Sequence, residues 1–238
     1  MATLPVRQAS RVPGKMGIGA LITAAVVTVV LWHLPYGNFI LYPFTILATW
    51  FHEMAHGLAA LLLGGGFDEL RVFSDGSGVA SYRGPLYLGP IGNAVVAAAG
   101  PMGPPLAGAA LILASRTTFG SSVGLKLLGA VMLVSTAVWV RSPFGLAVIP
   151  VIGICLLWIS VKGSERVQGF TVQFLGVQAC VSTYRQIDYL FSYSAGPLGI
   201  SDTAQIQQIL LLPYWFWGGL MAALSFLILV QSLRMAYR

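Results

Sequence analysis

The chain has 238 residues, of which 57% are hydrophobic and only 8% are charged, and its mean hydropathy is +0.82. Because soluble domains carry about 25% charged residues, this composition excludes a soluble globular protein and indicates a polytopic membrane protein. The net charge of +6 does not indicate nucleic-acid binding, because the 13 Lys and Arg residues lie at the ends of apolar runs, where they anchor helices at the membrane edge.

The first apolar run covers residues 16–34 and follows a basic segment. The basic residues of that segment are Arg7, Arg11 and Lys15. No further Lys or Arg occurs before Arg71, so the positive-inside rule predicts a cytoplasmic N-terminus. The length of the run and the lack of a clear small-x-small cleavage site favour a retained span over a signal peptide. We expect residues 1–15 to form a cytoplasmic segment and residues 16–238 to form one intramembrane domain.

A second apolar run covers about residues 39–63 and ends at three consecutive glycines, residues 64–66. Short stretches of alternating apolar and polar residues follow on either side of Asp75, Gly76 and Gly78. Alternation around an Asp-Gly turn is typical of two antiparallel strands. The sequence therefore predicts a small β-hairpin, associated with the membrane, directly after the second helix.

The second half of the chain contains further apolar runs, at residues 91–114, 125–140, 144–161 and 209–230. We expect the prolines of the first of these runs to break the regularity of its helix. They are Pro101, Pro104 and Pro105. The segment 170–191 is too polar to face lipid and is expected to form a shielded helix. The sequence thus predicts an all-α polytopic bundle of six or seven transmembrane helices with one β-hairpin.

The second run contains the stretch LATWFHEMAHGLAALLLGGG, in which His52, Glu53 and His56 form a His-Glu-x-x-His motif. At 3.6 residues per turn the two histidines lie on one helix face and can bind one metal ion. Zinc suits two imidazoles, because its tetrahedral shell leaves room for a third protein ligand and a water whose proton Glu53 can accept. An ionised Glu at mid-bilayer costs about 2.5 to 3.5 kcal/mol, so a buried pair of histidines beside an unrelated acid is the weaker interpretation.

Two carboxylates are candidates for the third ligand. Asp188 lies in the polar segment, where a helix can carry it inward, and is the preferred ligand. Its structural alternative is a salt bridge with Arg185 at helical spacing. Asp202 remains the alternative ligand, although its position just before the last helix is also explained by helix N-capping.

At these residues the sequence resembles the site-2 protease family of intramembrane zinc metalloproteases, in particular its short branch without an inserted PDZ domain. HEMAHGLAALLLGGG is similar to the metal helix of that family, FDELRVFSDGSGVASYRGP to its hairpin and AAAGPMG to its Ala-Gly-Pro core helix. FLGVQACVSTYRQIDYLF and SDTAQIQQILLLPYWFW are similar to the two C-terminal signatures of the short branch. The family's Leu-Asp-Gly form of the third-ligand motif is missing.

The resemblance implies a zinc-dependent metalloendopeptidase that cuts membrane-spanning or membrane-associated protein substrates within the lipid bilayer. It implies Glu53 as the catalytic residue, and it implies His52, His56 and a later Asp as the zinc ligands. Two other functions are considered. One is a catalytically inactive chaperone or assembly factor of the same fold, and the other is a proton or metal transporter that uses the same polar residues as a relay.

Overall fold

The structure, a computed structural model, describes residues 18–196 and 199–238. In chain order the helices are α1 (Ile18–Trp32), α2 (Gly37–Ile40), α3 (Tyr42–Leu62), α4 (Pro90–Ala114), α5 (Thr118–Val138), α6 (Pro143–Lys162), α7 (Glu165–Arg185), α8 (Ile187–Leu190), α9 (Asp202–Leu210) and α10 (Tyr214–Tyr237). Strands β1 (Gly66–Val72) and β2 (Gly78–Arg83) lie between α3 and α4. The predicted cytoplasmic segment, residues 1–15, lies outside the described residues.

Within the described part of the chain, four helices are long and apolar enough to cross a membrane, namely α4, α5, α6 and α10. Helix α1 is apolar but shorter, while α3 and α7 have 21 residues each and carry polar side chains. A helix of about 20 residues matches the thickness of the hydrocarbon core. The predicted all-α polytopic fold with a small hairpin is confirmed, and the protein is an integral membrane protein.

Helix α4 lies at the centre of the bundle and packs against α3, α7, α9 and α10. Glycines make this close packing possible. A Cβ atom at Gly103 would lie 2.7 Å from the Phe51 carbonyl oxygen of α3, and one at Gly108 would lie 2.5 Å from the Gly176 carbonyl oxygen of α7. In a membrane the hydrophobic effect does not drive helices together, so their association depends on close packing. Small residues at the crossings permit this close packing.

The three internal prolines of α4 do not interrupt it, contrary to the sequence prediction. The helix is continuous from Pro90 to Ala114. Each proline lacks the N–H that would bond to the carbonyl four residues earlier. The helix tolerates these losses because neighbouring helices surround it, and Pro101, Pro104 and Pro105 are all buried.

The predicted hairpin is confirmed, and one of its two edges is covered. Strands β1 and β2 pair antiparallel, with Leu70 opposite Ala80 and Val72 opposite Gly78. The Leu70 N–H donates to the Trp139 carbonyl at 2.8 Å, and the Ser142 hydroxyl bonds to both the N–H and the C=O of Val72. The link between α5 and α6 therefore closes the outer edge of β1.

The polar segment 170–191 forms a shielded helix, as predicted, but the helix ends before the segment does. Gln178 of α7 is buried and donates to the Thr28 hydroxyl of α1 at 2.6 Å. Helix α7 ends at Arg185, and Ile187–Leu190 form the single-turn helix α8. This break decides where the acidic residue of the segment lies.

Candidate metal centre

Helix α3 has two different faces. One is apolar, and the other carries the His-Glu-x-x-His motif. On the apolar side, Ile46, Trp50 and Met54 belong to the main core cluster, and the Trp50 indole N–H donates to the Ser135 hydroxyl at 3.0 Å. These contacts fix the rotation of α3 about its axis. They direct His52 and Glu53, which are 7% and 6% exposed, into the bundle.

Asp202 meets both histidines at the start of α9. His52 Nε2 lies 3.0 Å from Asp202 Oδ2, and His56 Nε2 lies 3.4 Å from Asp202 Oδ1. One ligand atom from each of the three residues lies within 4.8 Å of the others. The N-cap of α9 is the neighbouring Ser201, whose hydroxyl accepts from the Ala204 N–H. Asp202 therefore does not cap α9, and its side chain points into the site.

The hydrogen bond of His56 fixes how this imidazole faces the carboxylate. His56 Nδ1 lies 2.7 Å from the Val96 carbonyl oxygen of α4, which can only accept, so Nδ1 carries the proton. In the neutral ring Nε2 then presents a lone pair to Asp202 Oδ1. Two acceptors at 3.4 Å require a cation between them, either a proton on the ring or a metal ion.

Gly100 of α4 borders the same space. A Cβ atom there would overlap His56 Nε2 and would lie 2.7 Å from His52 Nε2. The backbone of α4 therefore leaves open the place that a side chain would fill between the two imidazoles. A bound metal ion needs a buried space of this kind, which ligand atoms line and no side chain fills.

Tyr189 of α8 also forms hydrogen bonds with Asp202. Its hydroxyl donates to Asp202 Oδ2 at 3.0 Å and accepts from the Asp202 backbone N–H at 3.2 Å. The Tyr189 ring also lies edge-on to the His52 ring, with the centroids 6.2 Å apart. Outer residues of this kind orient the ligands of metal sites.

Glu53 lies between the histidines and the hairpin. Ala80 on β2 lies beside its carboxylate. A Cβ atom at Gly78 would lie 2.8 Å from Glu53 Cγ and 2.6 Å from Thr49 Cγ2, so a glycine is needed for β2 to approach α3. The hairpin thus holds the Glu53 carboxylate beside the three ligand candidates.

A cavity of about 440 Å³ opens onto these groups. It runs along α3 from Thr45 to His56 and is bounded by β2, the end of α7 and the start of α9. Asp75, in the turn of the hairpin, lies on its wall. Hydrogen bonds from the Ser77 hydroxyl and backbone N–H hold the pKa of Asp75 below its usual value, so this exposed carboxylate carries a charge.

Comparison with known families identifies the chain. A model of the peptidase M50B-like family matches residues 21–232. The chain belongs to the peptidase M50B-like family. The match confirms the resemblance to the site-2 protease family, while the assignment to the short branch without a PDZ domain stays a prediction. Comparison of this M50B-like protein with curated proteins and with solved structures found no match.

The donor atoms of the M50B-like site fit a zinc ion. Zinc bonds nitrogen and carboxylate oxygen at about 2.0 to 2.2 Å in tetrahedral geometry, which places the donors about 3.3 Å apart. His52 Nε2 lies 3.0 Å from Asp202 Oδ2 and His56 Nε2 lies 3.4 Å from Asp202 Oδ1, and one ligand atom from each of the three residues lies within 4.8 Å of the others, so small side-chain shifts would bring the donors to these separations. Two imidazoles and one carboxylate also leave one position of a tetrahedral shell open, as catalytic zinc sites do.

The structure does not bring Asp188, the preferred ligand of the sequence analysis, to the histidines. Because α7 ends at Arg185, Asp188 falls on α8, which turns Leu190 and Tyr189 inward and leaves Asp188 exposed. The alternative salt bridge is not formed either. Among the ion pairs of the described residues there is none between Asp188 and Arg185, and Arg185 donates to the Thr45 hydroxyl instead.

Three parts of the M50B-like site were missed by sequence reasoning. Tyr189 stands next to the predicted ligand and carries no pattern of its own. The Val96 carbonyl is a backbone group, which sequence does not single out. Gly100 belongs to the Ala-Gly-Pro run, where close helix packing explains a glycine equally well.

Proposed function

We propose that this protein is an intramembrane zinc metalloprotease that hydrolyses peptide bonds of membrane-spanning or membrane-associated proteins. The observation that carries the proposal is the convergence of Asp202 on the histidines of the His-Glu-x-x-His helix, with one ligand atom from each of the three residues within 4.8 Å of the others. Glu53, at the offset that metal-dependent peptidases use for proton transfer, borders the same cavity.

The chain's own residues supply the ligands and their orientation. His52, His56 and Asp202 would hold the zinc ion, while Val96 and Tyr189 orient two of the three ligands through hydrogen bonds. When bound, zinc supplies Lewis acidity that polarises the scissile carbonyl and makes a water molecule a better nucleophile. Burial of the site strengthens these electrostatic effects because little water screens them.

Glu53 moves the proton. Its carboxylate takes a proton from the attacking water as the water oxygen bonds to the carbonyl carbon of the substrate. It returns that proton to the leaving nitrogen as the C–N bond breaks, so that the products are a carboxylic acid and an amine, and the acid then passes its proton to the amine to give a carboxylate and an ammonium group.

The free edge of β2 offers a place for the substrate backbone. Leu70 and Val72 direct their N–H and C=O groups away from β2, so they form the non-hydrogen-bonded pairs with Ala80 and Gly78. Ala80 and Gly78 therefore direct their own backbone groups toward the cavity. A membrane-spanning substrate must unwind before it is cut, and the edge can receive the unwound stretch as an added strand.

The decisive experiment compares wild type with Glu53→Gln. Purified protein in lipid nanodiscs is incubated with a panel of single-span membrane proteins, and zinc content is measured on the same samples. We expect cleavage by wild type and none by Glu53→Gln, with zinc content unchanged, because glutamine cannot accept the proton. Glu165→Gln makes the same change at an exposed position and serves as the matched control.

The two other functions predict different results. An inactive chaperone retains its function in Glu53→Gln and requires no zinc in the purified protein. A transporter moves metal or protons across proteoliposomes without cutting a peptide bond. Zinc content lost in His52→Ala, together with cleavage lost in Glu53→Gln, would exclude both.

A further inference from the structure

A positively charged side chain, that of Arg185, lines the same cavity at the end of α7. The half-buried Arg185 lines the cavity and donates a hydrogen bond to the Thr45 hydroxyl of α3. No carboxylate of the described residues lies within ion-pair distance of its guanidinium. Asp75 also lines the cavity, but its carboxylate accepts its hydrogen bonds from Ser77.

An arginine in such a position is costly unless an anion meets it. A guanidinium carries five N–H donors in a planar fork that matches a carboxylate, and the Thr45 hydroxyl satisfies a small part of that capacity. Charged side chains within membrane bundles are costly and mark functional sites by default. Arg185 therefore has free capacity to bind an anion that enters the cavity.

The distance between Arg185 and the metal ligands can be read along α3. Thr45, Thr49 and His52 line the cavity in succession on one face of that helix. The seven residue steps from Thr45 to His52 span about 10 Å at 1.5 Å per step. An extended peptide, which advances about 3.3 Å per residue, crosses this distance in about three residues.

Strand β2 gives a second measure of the distance between Arg185 and the metal ligands, and the two measures agree. The Gly76 carbonyl accepts from the Thr49 hydroxyl at 2.6 Å, a Cβ at Gly76 would lie 3.1 Å from Thr45 Cγ2, and Ala80 reaches Glu53. The hairpin from Gly76 to Ala80 thus runs alongside α3 from Thr45 to Glu53. A substrate strand added to β2 would pass from the level of Glu53 to the level of Arg185 within about three or four residues.

We propose that Arg185 is a specificity-determining residue that binds an acidic side chain, Asp or Glu, located about three or four residues from the scissile bond of the substrate. The proposal rests on the proposed function for the position of the scissile bond. The carboxylate would meet the guanidinium through charge-assisted hydrogen bonds in a cavity with little water.

The test measures binding without cleavage. Glu53→Gln protein in nanodiscs is titrated with fluorescent apolar peptides that carry a single Glu at successive positions, each paired with the same peptide carrying Gln. We expect about tenfold tighter binding of Glu than of Gln within a narrow window of positions, the size of one charge-assisted contact. Arg185→Gln should reduce that ratio to about one. Arg166→Gln makes the same change at the exposed start of α7 and should leave the ratio intact.

Equal binding of every Glu and Gln pair overturns the proposal, and so does a Glu preference that survives Arg185→Gln. A loss of co-purified anionic lipid in Arg185→Gln, with the Glu-to-Gln ratio already at one in the parent, assigns the residue to a lipid headgroup and also overturns it.

Cleavage by the protein with Glu53 intact separates this proposal from the proposed function. Mass spectrometry should place the cut three or four residues from the Glu. Cutting without any Glu preference contradicts the Arg185 proposal alone. An Arg185-dependent Glu preference without any cutting contradicts the protease proposal and retains the anion-binding residue.

Discussion

Tyr189 and Asp202 exchange two hydrogen bonds. The Tyr189 hydroxyl donates to Asp202 Oδ2 at 3.0 Å and accepts from the Asp202 backbone N–H at 3.2 Å. The pair joins α8 to the first turn of α9, and the same carboxylate oxygen lies 3.0 Å from His52 Nε2. Hydrogen bonds of the protein itself therefore hold Asp202, the candidate third ligand, in place.

Tyr189→Phe should lower zinc affinity by about tenfold, because a carboxylate ligand that loses its outer hydrogen bond is less well oriented. Chelator competition on the purified protein measures the affinity. Tyr184→Phe is the matched control, since Tyr184 bonds to the Ala222 carbonyl on α10 and not to a ligand candidate. Equal zinc affinity in Tyr189→Phe and wild type would show that the pair is only structural.

Asp202→Asn and Asp188→Asn separate the two candidate ligands. Asn is a neutral and weaker ligand, so Asp202→Asn should lose most bound zinc and all cleavage. Asp188 is exposed on α8, and Asp188→Asn should retain both. Zinc content by mass spectrometry decides between them, and the opposite pattern would restore Asp188 as the ligand.

Gly100→Ala should prevent metal binding while the protein still folds. The added methyl group would overlap His56 Nε2 and fill the space between the imidazoles. Gly103→Ala, on the same helix, meets the Phe51 carbonyl and Ala55 and so tests the packing of α4 on α3 without reaching the ligands. We expect both variants to lower thermal stability, and only Gly100→Ala to lose zinc. Zinc retained in Gly100→Ala would contradict the proposed location of the ion.

Gly78→Ala should impair cleavage with zinc still bound. Its methyl group would lie 2.6 Å from Thr49 Cγ2 and 2.8 Å from Glu53 Cγ, so β2 must move away from α3. The move separates Ala80 from the Glu53 carboxylate and leaves the three ligand candidates in place. Parallel measurement of zinc content and cleavage rate checks this. Full activity would show that the hairpin does not orient Glu53.

The parts of the fold that depend on local pattern could be predicted. The His-Glu-x-x-His helix follows from the helical period, and the hairpin follows from an Asp-Gly turn between alternating stretches. The buried orientation of His52 and Glu53 also follows, since lipid cannot solvate them.

The choice between Asp188 and Asp202 as the candidate third ligand could not be made from the sequence, because it depends on a helix end and on contacts distant in sequence. Asp202 is 150 residues from His52. Whether Asp188 or Asp202 reaches the site was decided by the end of α7 at Arg185 and by Ser201, which caps α9 in place of Asp202. Sequence spacing carries no information on how α9 docks against α3 and α4. The prolines of α4 were misjudged for a related reason, since tertiary packing outweighs the local loss of hydrogen bonds.

The metal centre is best tested by anomalous diffraction at the zinc edge, from crystals of the purified protein equilibrated with zinc. We expect one peak in the space bordered by His52, His56, Gly100 and Asp202, and no peak at that place in Asp202→Asn crystals. A zinc peak elsewhere, or a direct hydrogen bond between protonated His56 and Asp202 with no peak between them, would contradict this expectation.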